Sequence, residues 1–167
     1  SHLPNATIFA FVISSPGEYD IKDVFIAGIG LIKESTSSFI KTIYIVKMEG
    51  VTLGFLGYVS EILDSNVLEK LDLGNIDILF FPVGQNKESP FLDPKAIMGI
   101  IKNLEPKIAI PSLYSIAGLK RKAVPLKEFT EATVGKKENE FEIVEKLSIK
   151  KKDLVEIKNT KFVAFKI

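Results

Sequence analysis

Cysteine is absent from the 167-residue chain, and histidine occurs once, at position 2. Without a thiol there can be no thiolate nucleophile, no disulfide, no iron–sulfur cluster and no cysteine-ligated zinc. A Ser–His–Asp triad or a histidine-rich metal site would have to be built on His2 alone. An excess of one charge is lacking too. The chain holds 22 basic and 21 acidic residues, a net charge of +1, so no overall field draws nucleic acid or an anionic membrane to it. Long hydrophobic runs are also missing. The longest, Ile76 to Val83, is interrupted by Asp77 and by Pro82, well short of the roughly 18 apolar residues of a membrane-spanning helix. The opening residues Ser1-His2-Leu3-Pro4-Asn5 do not read as a secretory leader, which lets a cytoplasmic setting be expected.

What is there belongs to a folded domain. The hydrophobic fraction is 46% and the mean hydropathy is +0.21, enough apolar surface to offset the entropy of ordering the chain. Residues 1–167 are expected to form a single domain. Charge is unevenly spread: 9 basic and 13 acidic residues up to Ala117, then 13 basic and 8 acidic. The basic runs Lys120-Arg121-Lys122, Lys136-Lys137 and Lys150-Lys151-Lys152 could form an anion-binding surface. Acidic residues among them favour solvated loops and helix faces instead.

Hydrophobic patterning predicts short strands at Thr7–Ile13, Val24–Ile29, Lys41–Lys47, Val51–Leu56, Ile76–Pro82, Lys107–Ile110, Phe141–Ile149 and Lys161–Ile167. Glu49-Gly50 reads as a hairpin turn and Ser15-Pro16-Gly17 as an open one. A helix is expected from Asp64 to Leu71, with Asp64 or Ser65 as its cap. Asp93-Pro94 opens a second helix whose stripe is Ala96, Ile97, Ile100, Ile101 and Leu104. It ends at Glu105-Pro106, because the residue before proline is driven out of the helical region. A third helix is read over Pro125–Ala132. Strand, helix and strand over 76–110 form a right-handed βαβ unit.

Pro16-Gly17-Glu18-Tyr19-Asp20, followed by Val24-Phe25-Ile26-Ala27-Gly28-Ile29, resembles the "PGEY…GVFI.GI" segment of metal-dependent hydrolases in the metallo-β-lactamase superfamily, the branch related to ascorbate-6-phosphate lactonase. Gly54-Phe55-Leu56-Gly57 resembles the start of that branch's "LGD" hairpin, and Asp77-Ile78-Leu79-Phe80-Phe81-Pro82-Val83-Gly84 its "DVLLIPVGG". Glu105-Pro106-Lys107-Ile108-Ala109-Ile110-Pro111 is similar to "EPKIVIP", and Gly118-Leu119-Lys120 to "PGLK". The resemblance implies an α/β fold, a metallo-β-lactamase-like αββα sandwich. The part matched is all or mainly its C-terminal part, with the family's N-terminal sheet incomplete. It also implies a zinc or manganese site. That site is held by an H-x-H-x-D-H loop, a histidine after the "GI" strand, the aspartate of "LGD" and the histidine of "PMHY".

The matching positions here carry other residues. Gly30 follows Gly28-Ile29 where a histidine is expected, Tyr58 replaces the aspartate, and Leu113 the last histidine. A catalytic zinc takes about three protein ligands and an open position; a phenol and an alkyl chain supply none. No cofactor is therefore expected. His2, Gly30, Tyr58, Leu113 and Tyr114 remain as vestigial-site or pocket candidates, with no catalytic residue among them. The two tyrosines could line a ligand pocket or fill the volume that metal and ligands would take. Glu18 and Asp20 are expected to point into solvent, and Gly28-Ile29-Gly30 lacks the helix and third glycine of a dinucleotide site.

The expected function is that of a hydrolase-like fold that has become a structural or partner-binding module. An incomplete sandwich exposes one sheet face, so a homo-oligomer or partner chain is expected to cover it. Two alternatives stand beside this. One is an active hydrolase with ligands supplied by another segment or chain; the other is an anion-binding protein using the basic C-terminal part.

Overall fold

A computed structural model describes residues 12–84, 90–114, 125–133 and 140–166. The expected strand over 7–13 lies outside these except for residues 12 and 13, which are not in a strand, and the basic runs at 120–122 and 136–137 lie outside them. Eight strands form a single mixed sheet in the described residues, in the order β1-β2-β3-β4-β5-β6-β8-β7. They are β1 Gly17–Ile21, β2 Val24–Gly30, β3 Thr42–Met48, β4 Val51–Phe55, β5 Ile78–Pro82, β6 Ile108–Ser112, β7 Phe141–Val144 and β8 Lys161–Phe165. Strands β1 to β4 are an antiparallel meander, and from β4 to β7 every pairing is parallel. The helices are α1 Ser65–Leu73, α2 Pro94–Leu104, α3 Leu126–Thr133 and α4 Lys151–Val155.

Local chemistry sets the helix starts. Asp64 accepts a hydrogen bond from the Val67 amide at 3.0 Å, and Asp93 accepts from Lys95 and Ala96 at 2.7 and 3.3 Å. Each satisfies amides that a first helical turn leaves unpaired. The Glu49-Gly50 turn has φ of 49° and 75°, the doubly left-handed geometry that matches strand twist in a tight hairpin.

Alternation sorts the strand side chains onto two faces. One face, with Ile43, Ile45, Leu79, Phe81, Ala109 and Phe162, packs under α1, α2 and α3. On the other, Ile78, Ile108, Ile110 and Val163 pack against Leu154 of α4, flanked by Leu147, Ile149 and Ile157. Among the described residues this second cover centres on β5, β6 and β8 and extends to Val51 and Leu53 of β4. In the β1–β4 half, register aligns Tyr19 with Ile26, Val46 and Leu53, and Gly28 with Tyr44 and Phe55. These side chains are half-buried in the described residues, and none of them is charged.

Three expectations need correction. Gly17 to Ile21 is not just the end of a turn: it is β1, hairpinned to β2 through Lys22 and Asp23, at φ 46° and 66°. No glycine marks that turn, so its signal was weak. The strand expected over 141–149 stops at Val144, because Leu147 and Ile149 turn inward under the second face rather than extending the ladder. Helix α4, which follows, was not foreseen. Its lysine-rich start hides a single buried leucine, Leu154, too little for a periodic signal.

Candidate functional site

Strands β2, β4, β5, β6 and β8 all run in one direction, so their C-terminal ends share one edge of the sheet. Clefts at such an edge are where open α/β sheets bind ligands. Four of the five candidate residues lie along it, and His2 lies outside the described residues. Gly30 ends β2, Tyr58 follows β4, and Leu113 and Tyr114 follow β6. They form a row across several strands, not a cluster around one point.

Each has a local role. A side chain at Gly30 would meet Pro16 at 3.0 Å and Ile40 at 3.2 Å, so this glycine is closed over by its neighbours. Leu113 sits in the left-handed region at φ 57°, a conformation that costs a non-glycine residue about 1 kcal/mol or more. Tyr114 packs against the main core, and its hydroxyl donates to the Phe165 carbonyl at 3.3 Å. Burial pushes that phenol above its ordinary value. Tyr58 is 55% exposed, its ring tilted on Phe91 at 5.7 Å. Of the two roles open to it from the sequence, filling an interior volume does not suit a ring this exposed. Glu18 and Asp20 are exposed, as expected.

The strongest polar cluster at this edge was not singled out from the sequence. A short 3₁₀ turn, Ile32–Glu34, follows β2, and Lys41 lies just before β3. The Glu34 carboxylate, with its side chain 4% exposed, is paired to the Lys41 ammonium. It also accepts from the Ser60 amide at 3.0 Å, the Ser60 hydroxyl at 2.6 Å and the Glu61 amide at 3.0 Å. Lys41 donates further to the Tyr58 carbonyl at 2.9 Å and the Ser60 hydroxyl at 3.0 Å. Seven residues separate Glu34 from Lys41, and 26 separate Glu34 from Ser60. No periodic pattern links positions that distant. The intervening Ser35-Thr36-Ser37-Ser38 reads only as a polar loop.

Desolvation raises the Glu34 pKa, but the hydrogen bonds from Lys41, Ser60 and Glu61 outweigh it and hold it below the ordinary 4.5. A carboxylate so held, against a charged lysine, is a poor base and a good tether. A depressed folded-state pKa contributes stability that is fully present above about 4.5, the unfolded value, and is lost as pH falls through the lower folded value. Denaturant melts of Glu34→Gln and wild type should therefore differ most above pH 5 and converge toward pH 3. An unchanged gap at pH 3 would show that the carboxylate's charge contributes nothing.

Among the described residues, no group of three or more His, Cys, Asp or Glu side chains could hold a metal ion. At the edge itself Gly30 is sterically closed, Tyr58 is turned to solvent, Leu113 has no donor atom, and an ammonium already occupies the Tyr58 carbonyl. These residues do not fit the divalent site that the family resemblance implies. A cleft of about 480 Å³, lined by Lys102, Glu105, Lys107 and Lys158, lies at the opposite end of the parallel strands. Lys150-Lys151-Lys152 is not merely solvated: Lys151 leaves the basic run to bind Asp77 at 2.7 Å.

The family profile of the β-lactamase superfamily domain matches residues 3–112. The chain belongs to this superfamily. Its fold is similar to that of a Thermotoga maritima protein assigned to the Zn-dependent hydrolases of the metallo-β-lactamase superfamily. The TM-score is 0.70 at 25% identity, over 93% of this chain and 71% of that one. A metallo hydrolase from the archaeon Ignicoccus hospitalis, Igni18, shares the fold at TM-score 0.50 and 18% identity. The match covers 74% of this chain and 51% of that one. No curated protein matches. None of the described helices is long and apolar enough to cross a membrane.

Proposed function

We propose that this chain is a metallo-β-lactamase-fold, hydrolase-like protein that has lost its metal ligands and serves as a non-catalytic structural or partner-binding module. One observation carries the reading. Where the branch related to ascorbate-6-phosphate lactonase places two histidines and an aspartate, this sequence has Gly30, Leu113 and Tyr58, on an edge where Lys41 and Glu34 are already paired. A fold is retained by its burial pattern while chemistry resides in a few side chains, so the two can part company. Isothermal titration with zinc and with manganese tests this. The expected result is no site tighter than about 10 μM, and a 1:1 site of nanomolar affinity would overturn it.

The partner surface is the apolar β2–β5 sheet face, which the described residues cover only in part: the Tyr44 hydroxyl donates to the Ile13 carbonyl at 3.4 Å, Ser15 and Pro16 lie over Gly28, and Leu53 and Phe80 border the second core. Ile26, Tyr44, Val46, Leu53, Phe55 and Phe80 lie on it half-exposed, with Phe55 and Phe80 stacked at 4.7 Å. An uncharged apolar sheet face needs a second layer. A second copy of this chain suits it, since an isologous contact there brings no like charges together. Light scattering at about 50 μM should give twice the 18.5 kDa chain mass, and Phe55→Lys should return it to the single mass. A wild-type chain with the single mass would leave a different partner as the cover.

A further inference from the structure

We propose that the Glu34–Lys41 pair is a metal-independent clamp, in which the lysine ammonium does the cross-linking that a bound cation would do at this edge. Two connections must be held together at the C-terminal ends of β2 and β4. The first runs from Leu31 to Lys41, the second from Leu56 to Asp64, and neither contains regular secondary structure beyond the 3₁₀ turn. Lys41 and Glu34 both belong to the first connection. Every other partner of the pair belongs to the second: the Tyr58 carbonyl, the Ser60 amide and hydroxyl, and the Glu61 amide.

The arrangement is that of a small coordination sphere. One cation faces three oxygens, from Glu34, Tyr58 and Ser60. The carboxylate at its centre is nearly fully buried and takes four donors, so its charge is satisfied on all sides. Lys41 also donates to the backbone of Tyr58, the position where the family resemblance would put a metal-binding aspartate. The contact is with a main-chain carbonyl, so it survives the exchange of aspartate for tyrosine. At this end the ammonium and the carboxylate together tie the same two strand ends, β2 and β4, that a metal would bridge.

This inference rests on the reading that no metal bridges these connections, but its test is separate. Metal titration decides that reading, and amide exchange decides the clamp. Hydrogen exchange at the Ser60 and Glu61 amides, both donors to Glu34, should speed up at least fivefold in Lys41→Met. Amides in β5 should stay within twofold of wild type, and 1 mM zinc chloride added to wild type should change neither set. A smaller change at Ser60 and Glu61 would overturn the clamp, whereas zinc-induced slowing there in wild type would overturn the metal-free reading on which it rests. Should Lys41→Met not fold, Glu34→Gln keeps the side-chain volume and an acceptor but removes the charge. It should speed exchange at the same two amides at least threefold, and wild-type rates in that variant would equally overturn the proposal.

Discussion

Phe81→Ala is expected to lower the unfolding free energy by about 3–5 kcal/mol and the melting temperature by roughly 6–20 °C. Phe81 is fully buried in β5, in the middle of the sheet. Its ring lies 5.2 Å from Phe129, the buried residue of α3, and Phe129 in turn meets Phe141, which meets Phe162. This chain of rings fastens α3 and the β7–β8 pair to the central strand. Truncation removes the contact that seats α3 and leaves a cavity flanked by β-sheet backbone, which relaxes poorly. Urea denaturation of the variant measures the loss. A loss below about 1.5 kcal/mol would mean that the core collapses around the site or that α3 is not seated on it.

The second large effect is electrostatic. Asp77 is buried just before β5, where it accepts the Thr52 amide at 2.9 Å and the Lys151 ammonium at 2.8 and 2.7 Å. Removing it in Asp77→Ala strands a buried backbone donor and releases α4 from the sheet. The expected cost is about 2–4 kcal/mol. Lys151→Met should cost about 1 kcal/mol or less, because that side chain is half-exposed and water can replace it in part. The ordering is the test. If the lysine variant loses as much as the aspartate variant, the ammonium and not the Thr52 amide is the partner that matters.

Sequence legibility followed the range of the interaction. Asp64, Asp93-Pro94 and Glu49-Gly50 could be read because each satisfies backbone groups within three residues of itself. The β5-α2-β6 unit could be read because the apolar stripe of α2 is regular and Glu105 ends it. The parts that escaped are those decided by distant partners. Lys151 finds Asp77 across 74 residues, and Glu34 finds Ser60 across 26. In sequence each looks like an ordinary surface charge, and only the fold reveals the burial that gives it a role. The Lys22-Asp23 turn escaped for another reason: tertiary pairing of β1 with β2 forces two non-glycine residues into left-handed geometry.

The candidate site shows the same division. Gly30, Tyr58, Leu113 and Tyr114 could be placed because they stand inside well-matched motifs, and they do fall on one sheet edge. What occupies that edge, the Glu34–Lys41 pair with Ser60, was not readable, since it depends on the packing of two irregular connections. An edge that already carries an ammonium against the Tyr58 carbonyl repels a divalent cation from that position.

The most direct measurement is the metal content of the protein itself, produced in medium supplemented with zinc and manganese, dialysed, and assayed by plasma mass spectrometry. Less than about 0.1 equivalent of either metal per chain is the expected result. About one equivalent that survives dialysis would contradict the account and mean that the chain is not a retired hydrolase.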